Sequence, residues 1–134
     1  MGLESKFLKQ RCLEFWEEGL SLFNRKKYNL CVFNIEQAIQ LWLKYLIALK
    51  VGEWPKTHYL YELIDYLYEI YKSEKIRDYY REKEIFFNNL EDAYFTTRYF
   101  PKEFSENTAS QLIENSKDFI SLTERITGEK FFNG

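Results

Sequence analysis

The chain has 134 residues, including 12 Phe, 11 Tyr and 3 Trp but only 5 Gly and 2 Pro. A β-sandwich or β-barrel needs a turn roughly every 8–12 residues, so this composition excludes an all-β fold. With 46% apolar and 30% charged residues, the chain is expected to form one folded domain. Its formal net charge of −2 argues against a protein that coats nucleic acid.

The sequence predicts neither a membrane segment nor a metal centre. No apolar run reaches the roughly 18 residues of a membrane-spanning helix, and residues 1–11 lack the apolar core of a secretory signal. We therefore expect a cytoplasmic protein. Cys12 and Cys31 lie within helical patterns without a second pair of metal ligands, so we expect two small core residues, no metal and no cofactor.

The first two predicted helices follow from apolar residues that recur at steps of three and four. They span about Glu4–Asn24 and Tyr28–Val51. Gly52 and Trp54-Pro55 are expected to end the second helix, because glycine favours the left-handed conformation and proline blocks continuation. The second helix has the most regular apolar stripe in the chain: Tyr28, Val32, Ile35, Ile39, Trp42, Leu46 and Leu49.

Three further helices are predicted at about His58–Lys72, Ser73–Arg98 and Ser105–Gly128. Pro101 should end the fourth helix, and Ser105 is the expected N-cap of the fifth. Because the connections are short, we expect an all-α, up-and-down bundle of four or five helices over residues 1–128. Residues 129–134 are expected to form a frayed C-terminal tail.

Common enzyme motifs are absent from the sequence, which contains no phosphate-binding glycine loop, no HExxH and no Gly-x-Ser-x-Gly. The single histidine, His58, excludes a multi-histidine metal site in one chain. His58 is expected either to satisfy a backbone group in the loop before the third helix or to lie at a ligand groove or interface.

Four polar residues lie on one face of the otherwise apolar second helix: Glu36, Gln37, Gln40 and Lys44. Residues four apart are neighbours on a helix surface, so Glu36–Gln40 and Gln40–Lys44 are expected to pair. By itself this pattern indicates a solvated face. Because this helix should also be the most buried one, the alternative is a polar patch that lines a groove or a dimer interface.

Arg98 is the most informative charged residue in the sequence. It lies between Tyr94 and Tyr99 at the end of an amphipathic helix, just before Phe100-Pro101. An arginine flanked by aromatic rings can bind a phosphate with two hydrogen bonds or stack on a base. The alternative is an arginine that caps the carbonyl groups at the end of its own helix.

Several of these residues recur together in a known order and spacing: Tyr28, Phe33, Gln37-Ala38, Leu43-Lys44, Gly52, Pro55, Thr57-His58, Leu60, Leu63, Leu90, Tyr94, Arg98-Tyr99 and Pro101. The arrangement resembles the HEPN domain, the "higher eukaryote and prokaryote nucleotide-binding" helical bundle, over about residues 7–127. The resemblance implies a bundle of four or five helices that usually forms a homodimer. Members commonly pair with a minimal nucleotidyltransferase or act as RNases in toxin–antitoxin and defence systems.

The sequence lacks the motif that marks the RNase branch of the family it resembles. That branch has an Arg followed four to six residues later by a His, whereas no histidine follows residue 58 here, so a general acid/base is missing. A second branch carries Arg-Tyr-Pro, into which Phe100 is inserted here between Tyr99 and Pro101. The family's Gln-Ala-x-Glu becomes Gln37-Ala38-Ile39-Gln40, with the loss of a carboxylate.

These features lead to the hypothesis of a non-catalytic nucleotide- or partner-binding subunit that acts with a minimal nucleotidyltransferase. We name no catalytic residue; the candidate ligand- or partner-binding residues are Arg98, Tyr94, Tyr99, Gln37 and Lys44. A homodimer is expected from the family habit and from more aromatic residues than one small core can hide. The alternatives are an RNase that uses Arg98 with another base such as Glu103, and a purely structural interaction module.

Overall fold

The structure, a computed structural model, describes residues 3–132. These residues contain six α-helices. Their bounds are α1 (Leu3–Asn24), α2 (Tyr28–Val51), α3 (Leu60–Tyr71), α4 (Glu74–Glu82), α5 (Glu84–Tyr99) and α6 (Glu106–Thr127). These residues contain no strand, and the prediction of an all-α bundle is confirmed. No helix among them is both long and apolar enough to cross a membrane.

The predicted fourth helix is in fact two helices, so the prediction of at most five is wrong. Lys83 has non-helical backbone angles, φ −109° and ψ 34°, and separates α4 from α5. Tyr79 and Tyr80, on α4, both have ring contacts with Phe87 on α5. The break therefore lets two short helices face each other, and no glycine or proline marks it in the sequence.

The third helix begins at Leu60, two residues later than predicted. The hydroxyl of Thr57 accepts a hydrogen bond from the backbone N–H of Tyr59 at 3.1 Å and donates one to Glu62 at 2.9 Å. These bonds hold the residues before α3 in a non-helical turn, which leaves His58 in the loop.

The second helix is the centre of the bundle, because it packs against α1, α3, α5 and α6. Most of its predicted apolar stripe is buried, and the Trp42 indole donates a hydrogen bond of 2.8 Å to Thr123 on α6. Helices α1 and α2 approach closely at Gly19, where an added Cβ would lie 2.8 Å from Ile35 Cδ1. A larger residue at position 19 would therefore require the Ile35 side chain to move.

Several predicted helix ends are confirmed. Gly52 and Gly128 adopt left-handed angles, with φ of 86° and 79°, at the ends of α2 and α6. The Ser105 hydroxyl accepts a hydrogen bond of 3.1 Å from the backbone N–H of Thr108, as an N-cap does.

The segment after α6 is packed rather than frayed as far as residue 132, contrary to expectation; residues 133 and 134 lie outside the described part. Phe131 is fully buried, with its ring centre 5.6 Å from that of Trp16 and 5.1 Å from that of Trp42. Its backbone N–H donates a hydrogen bond to the Glu124 carboxylate at 2.7 Å. Burial of such a ring contributes about 1.5–3 kcal/mol, which opposes fraying.

Both cysteines are free and buried, as predicted. Burial raises the pKa of Cys31 to about 11 and also raises the pKa of Cys12. The thiolate form is therefore suppressed at both positions, as is typical of cysteines that fill a core.

Candidate functional site

Arg98 lies on an exposed aromatic surface at the end of α5. Its guanidinium carbon is 4.5 Å from the centre of the Tyr94 ring and 5.1 Å from the centre of the Phe33 ring, which belongs to α2. A cation–π contact of this kind is weakly stabilising when it is exposed to solvent. The guanidinium therefore has a preferred position while its edge stays open to solvent.

His58 contributes the third ring of this surface. Its ring lies almost parallel to that of Tyr94, with an interplanar angle of 10° and 4.8 Å between centres. Phe33 and Tyr94 have ring centres 6.2 Å apart. We call Phe33, His58 and Tyr94, with Arg98 over the first and last of these rings, the aromatic platform. Its residues come from α2, α5 and the loop between α2 and α3.

Tyr99 also belongs to this end of α5, with 70% of its surface exposed. The pKa of Arg98 is raised above its ordinary value. The main cause is a hydrogen bond with the Tyr94 side chain, and Tyr99 makes a smaller contribution. Arg98, Tyr94 and Tyr99, the three residues predicted around the helix end, are thus brought together. The site keeps a permanent positive charge.

Gln37 and Lys44 belong to a different arrangement, a chain of hydrogen bonds along α2. Gln37 and Gln40 each donate a side-chain N–H to the Glu36 carboxylate, at 2.7 and 2.9 Å. Lys44 donates to Gln40 Oε1 at 3.1 Å. We call these four residues the α2 polar network. Gln37 is one helical turn from Phe33, whereas Lys44 lies about 16 Å from Phe33 along the helix.

The interpretation of these four residues as a solvated face is wrong. Glu36 is fully buried and Gln40 is 6% exposed, since the neighbouring helices cover this side of α2. Burial raises the pKa of Glu36 to about 7, although hydrogen bonds from Gln40 and Gln37 oppose the shift. Burial also lowers the pKa of Lys44.

Two further residues, missed by the sequence analysis, hold the platform in place. Asn29 Nδ2 donates to the Lys102 carbonyl and Asn29 Oδ1 accepts from the Phe104 N–H, both at 2.7 Å. Glu91, one turn before Tyr94, accepts a hydrogen bond from the backbone N–H of Tyr61 at 3.1 Å. An asparagine near a helix start and an acid on a helix face are too common to have identified either contact.

The described residues offer no metal centre: no three of their His, Cys, Asp or Glu side chains group closely enough to hold an ion. What the platform offers instead is a fixed cation beside flat rings. Such a surface suits an anion attached to a planar group.

Comparison with known protein families identifies the family of this chain. The model of the HEPN domain matches residues 5–126, which include nearly all of the six helices. The chain belongs to the HEPN family. No curated protein and no solved structure matches the chain. Within the HEPN match, Arg98 is near the end of α5, and the packed segment at 129–132 follows the matched region.

Replacing Glu36 by Gln should flatten the dependence of stability on pH. In the folded protein the Glu36 pKa is about 7, against 4.5 as its ordinary value, so between these values only the folded state binds the proton. The free energy of unfolding should therefore fall as the pH rises through this window, by about 3 kcal/mol at most. Urea unfolding at several pH values measures the difference between wild type and Glu36→Gln.

The matched control for this experiment is Glu103→Gln, because Glu103 is an exposed carboxylate. Its curve of unfolding free energy against pH should run parallel to that of wild type. If the Glu36→Gln curve is also parallel to wild type, Glu36 does not titrate as described.

Proposed function

We propose that this HEPN-domain protein binds a nucleotide at the aromatic platform and acts as a non-catalytic subunit. The observation that carries the proposal is the exposed Arg98 guanidinium above the rings of Phe33 and Tyr94. A nucleotide combines a flat base with an anionic phosphate, and guanidinium and aromatic groups recognise both. The missing histidine after Arg98 favours binding over catalysis.

Calorimetric titration with ATP tests this proposal. Replacing Arg98 by Ala should weaken ATP binding by about 10-fold or more, because a charge-assisted hydrogen bond contributes about 1.5–3 kcal/mol. Arg77→Ala is the matched control, since Arg77 lies 3.7 Å from the centre of the Tyr68 ring, away from the platform. Unchanged ATP affinity in Arg98→Ala, or no ATP binding by wild type, contradicts the proposal.

We further propose that the chain forms a cytoplasmic homodimer and associates with a minimal nucleotidyltransferase. Support comes from the apolar surface beside the platform, where Tyr99 is 70% and Phe100 62% exposed. Exposed aromatic clusters of this kind are characteristic of protein interfaces.

Light scattering tests both associations. The chain alone should have the mass of two copies, and a purified minimal nucleotidyltransferase should add to that mass. Replacing Tyr99 and Phe100 together by Ser should yield monomers, because it removes the apolar contact area. Ile85→Ser is the control, since Ile85 is 77% exposed elsewhere on α5. A monomeric wild type at micromolar concentration contradicts the dimer.

RNA cleavage is the second candidate function, and the position of His58 favours it. His58 stacks on Tyr94, the ring that Arg98 also contacts, so an imidazole capable of acid/base chemistry and a guanidinium share one ring.

Incubation with labelled RNA decides between the two functions. If the non-catalytic proposal is correct, wild type leaves the RNA intact. Cleavage that is lost in both His58→Ala and Arg98→Ala, but retained in Arg77→Ala, replaces the binding proposal with an RNase. If neither ATP binding nor cleavage is found, a structural interaction module is the remaining interpretation.

A further inference from the structure

We infer that a cavity next to the aromatic platform receives the phosphate chain of the ligand, so that the preferred ligand is a nucleoside di- or triphosphate. This inference rests on the proposed function and specifies its ligand class. The cavity has a volume of about 320 Å³ and lies between the α1–α2 turn and the α5–α6 loop. Its lining residues are Lys26, Lys27, Tyr28, Asn29, Leu30, Glu103 and Phe104.

The cavity and the platform are neighbours along α2. Leu30, in the cavity wall, precedes the platform residue Phe33 by three positions, which places both on one face of the helix. The Asn29 carbonyl accepts a hydrogen bond of 3.2 Å from the hydroxyl of Thr97, the residue before Arg98. A group bound over Phe33 is therefore one helical turn from the cavity mouth.

Cations predominate around this cavity. Lys26 and Lys27 line it, and Lys102 holds its ammonium group 5.6 Å from the centre of the Phe104 ring in the cavity wall. Among residues 5–132, none of these three lysines takes part in an ion pair within 4.0 Å. Glu103 is the acidic residue in the lining, so positive charge remains in excess.

A second acid, Glu106, lies beside the cavity through its contact with the lining residue Tyr28. Glu106 accepts a hydrogen bond of 2.6 Å from the hydroxyl of Tyr28. The start of α2 adds to the positive field, since its first turn has no acidic residue and Lys27 provides no side-chain cap. An anion in the cavity would thus meet Lys26 and Lys27 in its wall, with Lys102 beside Phe104, and these three lysines outnumber the two nearby carboxylates.

The spacing of the cavity and the platform along α2 suits a ligand whose base lies on the platform and whose phosphates lie in the cavity. Lys27 is six residues before Phe33, which corresponds to about 9 Å along the axis of α2. A single phosphate bound by Arg98 stays close to the platform, whereas a di- or triphosphate chain extends toward the lysines. Each added phosphate should therefore increase the affinity.

Titrations with AMP, ADP and ATP test the inference. Wild type should bind ATP at least about 10-fold more tightly than AMP, with ADP between them, because AMP has no phosphate chain that reaches the lysines. The double variant Lys26→Gln, Lys27→Gln should lose this difference and keep its AMP affinity within about twofold. The double variant Lys72→Gln, Lys75→Gln is the control, because Lys72 is exposed and has a left-handed backbone like Lys26, with φ of 53° and 61°.

The outcomes separate this inference from the proposed function. Equal binding of AMP and ATP by wild type overturns the phosphate cavity and leaves nucleotide binding at the platform intact. Equal losses for AMP and ATP in the Lys26→Gln, Lys27→Gln variant also overturn it, since the lysines then act on the whole ligand. If no nucleotide binds, both the function and the inference are wrong.

Discussion

The burial of α2 among four other helices is the constraint from which the rest of the structure follows. A carboxyl group on such a helix has no access to water and must find its partners within the protein. Glu36 does so by accepting hydrogen bonds from Gln37 and Gln40, and Gln40 in turn accepts one from Lys44. Phe33 lies one turn before this network, so the packing that buries Glu36 also fixes the base of the platform.

The platform depends equally on contacts between its separate chain segments. Asn29 binds the loop after α5 through two hydrogen bonds, and Glu91 binds the start of α3 next to His58. Aromatic contacts then join Phe33, Tyr94 and His58 across these segments. Because the rings are already positioned by the fold, little conformational entropy would be lost in the proposed stacking of a base on them.

Local spacing explains which parts of the site are predictable from the sequence. Tyr94 and Arg98 are four residues apart in one helix, so their contact follows from helix geometry. Phe33 and His58 reach the same site through tertiary packing, which no local period encodes. The burial of Glu36 likewise depends on which helices cover that face of α2, and its polar sequence indicated solvent instead.

The same distinction applies to the errors in the fold prediction. The break at Lys83 has no glycine or proline, and it forms because rings of α4 and α5 pack against each other. Phe131 follows Gly128 in a segment that resembles a tail, yet it fills a space between Trp16 and Trp42. In both cases the burial of aromatic rings is worth about 1.5–3 kcal/mol per ring. This outweighs the local tendency to continue a helix through Lys83 and to fray after Gly128.

The charge of Arg98 on the platform and the charge of Glu36 in the core respond differently to pH. A change of pH near 7 therefore alters the stability of the fold but not the charge of Arg98. Arg98 keeps its charge at all physiological pH values, whereas Glu36 ionises within the core near pH 7. Ionisation of Glu36 therefore lowers stability without changing the charge that the platform presents. A nucleotide that binds only the folded chain raises the free energy of unfolding in proportion to the logarithm of its concentration. Occupancy of the proposed site would thus offset the cost of the buried carboxylate in the pH range where that cost is greatest.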